Sequence, residues 1–258
     1  MRLVRPVSQI QGEAVLGPDV AIVTDIGKRH ARNEDAGAVL REMVDGRPAY
    51  GLVVCDGVSS SSCSDQLAAA AAATARAALV QVLKSGSAND AVAGMANAIR
   101  LAHEAACALE LESEPGKDPP GATIVAAVAW PGRICVGWLG DSRAYWVTDS
   151  GAIVLTEDDS VSPTSHVITH CIGPLEDIDG PLLEPHTLSL APSTAGLLVL
   201  CSDGFWNYTA DTDAVAALVR SAPADADAEA VARSLVQFAL DGGGIDNVTV
   251  AVARLGVN

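Results

Sequence analysis

Apolar residues in this chain fall into short runs separated by stretches of helical periodicity. The short runs predict buried strands, and they occupy residues 20–25, 36–41, 49–55, 122–129, 133–139, 143–148, 152–155, 184–190, 196–201 and 247–254. Apolar positions at helical spacing, with Ser64 as an N-cap, predict four helices. They cover residues 64–84, a stretch from near Asn89, 212–220 and 225–241. Strands in sequential blocks between helix pairs indicate one layered domain with mainly antiparallel pairing over residues 1–258.

Three aspartates stand where an apolar run meets a turn. Asp56 and Asp203 each follow such a run and precede a glycine, whereas Asp246 comes just before the last run. Carboxylates at the rim of a β core repel one another and lose hydration, so the pattern predicts a compensating hard divalent cation. As an alternative, Asp-Gly is a common turn dipeptide that requires no metal.

A basic-to-acidic segment near the N-terminus adds a second signal. Lys28, Arg29, His30 and Arg32 lead into the acidic pair Glu34-Asp35. Cations beside a carboxylate–metal site suit a phosphate substrate, because they bind its free oxygens. The alternative is a solvated charge pair at the start of a strand.

Seven short motifs follow one another between residues 24 and 252. They are Asn33-Glu34-Asp35, Asp56-Gly57, Gly121-Ala122-Thr123, Gly140-Asp141-Ser142-Arg143-Ala144-Tyr145, Leu155-Thr156-Glu157-Asp158, Ser202-Asp203-Gly204 and Asp246-Asn247-Val248-Thr249. In this order they resemble the metal-dependent protein phosphatases of type 2C, of a bacterial type. The resemblance implies an α+β fold: a four-layer α-β-β-α sandwich, two mainly antiparallel sheets flanked by helix pairs, with the metals at one end.

The resemblance also implies a ligand set for two Mn²⁺ or Mg²⁺ ions. Asp56 bridges both ions, and the Gly57 carbonyl binds one of them. Asp203 and Asp246 bind the other, and the pair Glu34-Asp35 supports the metals directly or through bound water. Two ions held in this way activate a bridging hydroxide for attack on phosphorus.

Asp141 is the candidate ligand of a possible third, weaker metal, again by resemblance. An equally open reading is a turn network between Asp141 and Arg143 that holds no metal. In either case Arg143 is expected to be structural.

Hydrolysis of phosphoserine and phosphothreonine in proteins is the activity that the resemblance implies. Two other readings stay open: a non-catalytic sensor or scaffold that binds a protein partner, and a calcium-stabilised β-sandwich. Hydrolysis of p-nitrophenyl phosphate with Mn²⁺ separates the first reading from the others.

Three departures from the family pattern bear on the site. His30 stands where relatives carry an arginine that binds phosphate, so His30, Arg29 and Arg32 are the candidate phosphate-binding residues. Val58 replaces a histidine proposed as a general acid in some relatives, and the serine-rich run after it is expected to be structural. The flap is reduced to about residues 161–165, which should leave the site open; the nearby His166 and His170 are expected at the surface.

Composition and charge limit the kinds of binding partner and the cellular compartment that we expect for the protein. The net charge of −16 and the pI near 4.5 argue against nucleic acid and anionic membranes as partners. No apolar stretch reaches a membrane-spanning length, and no signal peptide is evident. Six cysteines without a Cys-x-x-Cys pair suggest a reduced, cytoplasmic protein. We expect a monomer acting on phosphorylated proteins, with Ser/Thr kinases and their targets as partners, and a mobile loop at Glu110–Pro120.

Overall fold

Eleven strands and five helices form within residues 11–85, 88–112, 115–162, 167–174, 184–223 and 225–256, the part of the chain that this computed structural model describes. The strands are β1 (Gln11–Val15), β2 (Val20–Asp25), β3 (Ala36–Val44), β4 (Arg47–Gly57), β5 (Ala122–Trp130), β6 (Arg133–Leu139), β7 (Arg143–Thr148), β8 (Gly151–Val154), β9 (His186–Leu190), β10 (Gly196–Cys201) and β11 (Val248–Leu255). The helices are α1 (Ser64–Ser85), α2 (Ala88–Cys107), α3 (Asp203–Trp206), α4 (Thr212–Ser221) and α5 (Ala228–Gly242).

Two antiparallel sheets form the centre of the molecule. One has the strand order β1-β2-β11-β10-β7-β8 and the other β3-β4-β5-β6-β9. Across the sandwich, β2 faces β3 and β11 faces β4. Helices α1 and α2 pack on the five-stranded sheet, while α4 and α5 pack on the six-stranded sheet. The predicted four-layer α-β-β-α sandwich is therefore confirmed.

Three apolar clusters join the four layers. The cluster between the sheets includes Ile22, Leu52 and Leu200, and the cluster under α4 and α5 is built around Phe205. The third lies under α1 and α2, where α1 presents a row of fully buried alanines: Ala68, Ala71, Ala72 and Ala75. Small side chains let this helix approach the sheet closely, and a larger residue there would overpack the interface.

Helix α1 is also the one helix among the described residues that is long and apolar enough to cross a membrane by length and composition. In the fold it packs against β3, β4, β5 and α2, and 44% of its most apolar window is buried. These contacts are those of a core helix.

The structure adds two elements that the hydrophobic pattern does not predict, β1 and the short helix α3. The predicted strands are all present, with ends shifted by a few residues. The assignment of Ser64 as an N-cap is wrong, because Ser64 is the first residue of α1 and its hydroxyl donates to the Val58 carbonyl at 2.8 Å. All six cysteines are free.

Candidate metal centre

The three predicted metal aspartates lie at the same end of the sandwich. Asp56 is near the end of β4, Asp203 opens α3 directly after β10, and Asp246 precedes β11. Burial raises the pKa of Asp56 well above its ordinary value, and the negative charges of neighbouring aspartates raise it further. Those neighbours are Asp35, Asp203, Asp141 and Asp246. The structure thus brings five carboxylates within electrostatic reach of one another.

Asp35 lies at the buried side of this cluster. The residue is 1% exposed, and the Ser202 hydroxyl donates to its Oδ2 at 2.8 Å. The backbone N–H of Thr249 donates to the same Ser202 oxygen at 3.0 Å, which fixes the hydroxyl. Burial and the charges of Asp246 and Asp203 raise the pKa of Asp35, while its Oδ1 is buried without a hydrogen-bond partner. Burying a carboxylate oxygen without a hydrogen-bond partner destabilises the fold unless a cation is nearby.

Asn247 joins the loop of Asp246 to the acidic pair. Its Oδ1 accepts a hydrogen bond from the Glu34 backbone N–H at 2.7 Å. Its Nδ2 donates to the carbonyls of Ile26 at 2.8 Å and Arg32 at 3.1 Å. Because Asn247 is 3% exposed, these bonds are made in a buried setting. A single side chain therefore positions two segments of the centre that are far apart in sequence.

The glycines after Asp56 and Asp203 are required by close packing at this end. A Cβ on Gly204 would lie 1.9 Å from the Asn247 carbonyl oxygen, and a Cβ on Gly57 would lie 2.7 Å from the Glu34 carbonyl oxygen. Neither glycine has a positive φ. The reading of Asp-Gly as an ordinary turn dipeptide therefore does not describe these two positions, since the glycines permit backbone contact within the carboxylate cluster.

His30 reaches the cluster, whereas Arg29 and Arg32 lie at the surface. His30 Nε2 is 3.1 Å from Asp246 Oδ1, and the His30 side chain is 27% exposed. Both arginines are exposed. No contact tests the prediction that these three residues bind phosphate, so it stays a prediction; the structure shows that His30 is the one that touches a candidate metal ligand.

Of the two open readings for Asp141, the hydrogen-bonded network with Arg143 is not what the structure shows. The Arg143 guanidinium donates to both carboxylate oxygens of Asp158, at 3.0 and 2.7 Å, and stacks over the Trp206 ring at 3.8 Å. The fork of arginine matches one carboxylate bidentately, and Asp158 takes that position. Arg143 is structural, as expected, and Asp141 belongs instead to the carboxylate cluster: burial, with Asp203 and Asp158, raises its pKa to about 7.

Comparison with known proteins identifies the family of the chain. The family model for protein phosphatase 2C matches residues 26–239. The chain belongs to the protein phosphatase 2C family.

Relatives and solved structures from mycobacteria support the assignment. The serine/threonine protein phosphatase PstP of Mycobacterium tuberculosis is 31% identical over 247 residues, covering 89% of this chain and 43% of PstP. This chain thus spans less than half the length of that relative. A crystal structure of Mycobacterium tuberculosis PstP superimposes with a TM-score of 0.70 at 27% identity, covering 92% of this chain and 98% of that one. The catalytic domain of PstP in complex with two manganese ions gives a TM-score of 0.68 at 26% identity, covering 92% and 97%.

In this 2C-family chain, the segment after Asp158, where a reduced flap is predicted, starts at a hydrogen-bonded turn with Gly140. The Asp159 backbone N–H donates to the Gly140 carbonyl at 3.0 Å, and the Gly140 N–H donates to Asp159 Oδ2 at 2.9 Å. His170, whose side chain is 57% exposed, lies 3.5 Å from Asp159 Oδ1 and is a surface residue as expected. Residues 163–166, which include His166 and most of the predicted flap, lie outside the described residues.

The donor set of this 2C-family centre fits Mn²⁺ or Mg²⁺. All candidate side-chain donors are carboxylate oxygens, which hard divalent ions prefer, and Asp35 Oδ1 is buried without a hydrogen-bond partner. Among the described residues, no group of three or more His, Cys, Asp or Glu side chains already has the arrangement that holds a metal ion. Ions of this kind also take backbone carbonyls and water as ligands, so the side chains need not complete the shell.

Three residues near the centre escaped the sequence analysis. Ser59 hydrogen-bonds the Glu34 carboxylate, and Lys117 lies close enough to lower the pKa of Glu34, which burial raises. Tyr208 accepts a hydrogen bond from the Ile245 N–H at 2.9 Å, next to Asp246. Each contact joins segments that are distant in sequence, so the local pattern of apolar and polar residues does not predict it.

Proposed function

We propose that this chain is a metal-dependent protein serine/threonine phosphatase that hydrolyses phosphoserine and phosphothreonine. The observation that carries the proposal is the buried, unpartnered Oδ1 of Asp35 within a cluster of five carboxylates at one end of the sandwich. Family membership and the PstP relatives support the same activity.

Asp56, Asp203 and Asp246 would hold two Mn²⁺ or Mg²⁺ ions, with the Gly57 carbonyl as a further ligand. The chemistry such a pair supplies when bound is activation of water as the nucleophile and polarisation of the phosphoryl oxygens. The acidic pair Glu34-Asp35 would support the ions, and Asp141 would serve a third, weaker site. The structure of the PstP catalytic domain in complex with two manganese ions supports the identity and number of the proposed ions.

The chain's own residues then hold the ligands in place. Ser202 donates to Asp35, which orients that carboxylate toward the cluster. Asn247 ties the loop of Asp246 to the backbone of Glu34, so the two sides of the centre cannot separate without breaking a buried hydrogen bond. Preorganised charge of this kind lowers the reorganisation needed during phosphoryl transfer.

His30 can act in two ways at this centre. Its contact with Asp246 is consistent with positioning that carboxylate, and its partial exposure lets it also meet a phosphoryl oxygen. The same contact is the observation behind the second candidate function, a non-catalytic scaffold in which His30 occupies Asp246 Oδ1 in place of a metal ion. Phosphorylated proteins, including the targets of Ser/Thr kinases, are the partners we propose for either function.

Release of phosphate from a phosphothreonine peptide tests the proposal. We expect turnover with Mn²⁺, none with excess EDTA, and a loss of more than about a hundredfold in Asp203→Asn. Asp45→Asn is the matched control, since Asp45 is exposed in the turn between β3 and β4. A peptide that binds Mn²⁺-loaded protein without being hydrolysed would favour the scaffold instead.

A further inference from the structure

The turn that carries Asp141 is held from two sides. Asp141 lies between β6 and β7, and its backbone carbonyl accepts a hydrogen bond from Trp206 Nε1 at 2.8 Å. On the other side, both backbone groups of the preceding residue, Gly140, are bonded to Asp159. The position of the Asp141 carboxylate therefore depends on Asp159, a residue for which the sequence analysis proposed no role.

Asp159 makes a reciprocal pair of hydrogen bonds with Gly140. Its N–H donates to the Gly140 carbonyl at 3.0 Å, and its Oδ2 accepts from the Gly140 N–H at 2.9 Å. Gly140 has a φ of 96°, and a glycine can leave such a conformation more easily than any other residue can. Asp159 is itself tied down, because its carbonyl accepts from the Thr169 N–H at 2.7 Å. The pair of bonds thus fixes a turn that has little stiffness of its own.

The other oxygen of the Asp159 carboxylate is bonded to His186. His186 Nε2 lies 2.9 Å from Asp159 Oδ1, and the two side chains are 48% and 10% exposed, respectively. An ionised carboxylate only accepts hydrogen bonds, so the His186 ring donates from Nε2. With Oδ1 held by His186, the carboxylate cannot rotate freely, and Oδ2 stays directed at the Gly140 N–H.

Trp138 orients the His186 ring. Trp138 of β6 and His186 of β9 are partners in the ladder between these strands, and their rings stack with centroids 5.2 Å apart. The Trp138 Nε1 also donates to the Glu157 carbonyl at 2.8 Å, two residues before Asp159. One buried side chain therefore holds both the histidine and the segment that carries its carboxylate partner.

His170 lies beside the same carboxylate but has a different partner. Its Nδ1 is 3.1 Å from the neighbouring Thr169 Oγ1 and 3.5 Å from Asp159 Oδ1. The shorter contact is with Thr169, whereas the short contact of His186 is with Asp159. His186 is thus the histidine that orients Asp159, and His170 offers a matched comparison.

We infer that Asp159 and His186 are positioning residues, which fix the turn at Gly140 so that the Asp141 carboxylate can bind its metal ion. This inference rests on the proposed function, in which Asp141 serves a third, weaker ion. Removing a residue that directly orients a metal ligand commonly weakens metal binding about 10-fold to 100-fold. Here the contact reaches Asp141 through one further peptide unit, so we expect a smaller effect.

Mn²⁺ binding, measured from the free-ion signal in electron paramagnetic resonance, tests the inference without turnover. His186→Phe keeps a ring against Trp138 but removes the donor, whereas His186→Gln keeps a donor near the position of Nε2. We expect the dissociation constant of the weakest-bound Mn²⁺ to rise roughly threefold to tenfold in His186→Phe and to stay within about twofold of the wild type in His186→Gln. Asp141→Asn should lose that ion, and His170→Ala, the matched control, should keep it with unchanged affinity.

Steady-state kinetics supply a second readout. The Mn²⁺ concentration for half-maximal hydrolysis of p-nitrophenyl phosphate should rise in His186→Phe by the same factor as the dissociation constant. KM for the substrate should stay within about twofold of the wild type, because a positioning residue acts on the ion rather than on the substrate. A lower unfolding temperature of His186→Phe in EDTA, with unchanged Mn²⁺ affinity, would make His186 a structural residue only and overturn the inference.

The remaining outcomes separate this inference from the proposed function. An inactive wild type in Mn²⁺ contradicts the proposed function. An active wild type whose weakest Mn²⁺ is bound as tightly in His186→Phe, or is still bound in Asp141→Asn, overturns the positioning role alone. Equal losses of affinity in His186→Phe and His186→Gln also overturn it, since the donor at Nε2 would then not be the group that matters.

Discussion

At the scale of single residues, the centre depends on contacts between short segments rather than on the aspartates alone. Gly204 allows α3 to start against the Asn247 carbonyl, and Asn247 in turn holds Glu34. Each contact restricts where Asp203 and Asp246 can lie. The Asp-Gly and Asp-Asn motifs are thus geometric requirements as well as sources of ligands.

Tyr208 is a positioning residue for Asp246. Its hydroxyl accepts the Ile245 N–H at 2.9 Å, and its ring lies against Gly242 and Gly243. Its own N–H donates to the Phe205 carbonyl in α3, the helix that Asp203 opens. Tyr208 therefore connects the two aspartates assigned to one metal ion.

We predict that Tyr208→Phe raises the Mn²⁺ concentration for half-maximal activity by roughly threefold to tenfold, because about one hydrogen bond that orders the Asp246 loop is lost. At saturating Mn²⁺, kcat should stay within about twofold of the wild type. A Mn²⁺ titration of phosphate release measures both quantities. Tyr50→Phe, on β4 at the opposite end of the sandwich, is the control. An unchanged Mn²⁺ midpoint in Tyr208→Phe would show that the hydroxyl does not position Asp246.

Sequence motifs were sufficient to identify the aspartates but not the residues that hold them. Asp56, Asp203 and Asp246 follow from apolar runs and motif order, which are local signals. Tyr208, Ser59 and Lys117 act through contacts between segments that only the folded chain brings together. For the same reason the partner of Arg143 was not identified from the sequence, where a network with Asp141 was one of two open readings. Asp158, the partner in the structure, is fifteen positions away and reaches Arg143 only by folding.

At the scale of elements, long apolar strands were predictable and short or polar ones were not. The apolar runs that form β4, β5 and β11 are buried along most of their length, and their continuous apolar composition therefore predicts a strand clearly. β1 is a five-residue edge strand that contains Gln11, Gly12 and Glu13, and it pairs only with β2. Helix α3 has four residues, too few for a periodic signal.

The predicted reduction of the flap to about residues 161–165 leads to a prediction about specificity. A flap of that length would leave few side chains to contact residues that flank a phosphorylated position, and specificity from remote contacts appears as a higher kcat/KM. We expect short phosphothreonine peptides with different flanks to differ by less than about tenfold in kcat/KM, or roughly 1.4 kcal/mol. A peptide panel at one Mn²⁺ concentration measures this. Hundredfold discrimination would show that another loop, such as Glu110–Pro120 between α2 and β5, recognises the flanking residues.

At the scale of the whole molecule, acidity and metal binding are coupled. The chain carries a net charge of −16, and its buried carboxylates are concentrated at one end of the sandwich. Clustering them without cations opposes folding, because each charge loses hydration and meets repulsion. Cation binding should therefore stabilise the fold as well as serve catalysis.

The raised pKa values give this coupling a pH dependence. Burial raises the pKa of Asp141 from 3.8 to about 7, and that of Asp56 also rises. Between about pH 4 and 7 the metal-free folded state thus holds protons that the unfolded chain has released, so its free energy of unfolding falls as pH rises through this window. Mn²⁺ replaces those protons, and its stabilising effect should grow with pH.

We therefore predict that adding Mn²⁺ raises Tm by several degrees more at pH 7.5 than at pH 5. Thermal unfolding with Mn²⁺ and with EDTA at both pH values measures the difference. Asp141→Asn should reduce the pH dependence, because it removes one of the raised groups, whereas Asp45→Asn should not. Equal Mn²⁺ effects on Tm at the two pH values would contradict the coupling.

Mn²⁺ binding to the wild type and to Asp56→Asn, measured by calorimetry alongside p-nitrophenyl phosphate hydrolysis on the same samples, tests the central claim most directly. The account predicts two Mn²⁺ ions bound to the wild type. In Asp56→Asn it predicts loss of that binding together with nearly all turnover, and an unfolding temperature in EDTA at or above the wild-type value, because one repelled carboxylate is gone. Asp45→Asn should match the wild type throughout. Hydrolysis by the wild type in excess EDTA, or wild-type turnover in Asp56→Asn, would contradict the two-metal mechanism.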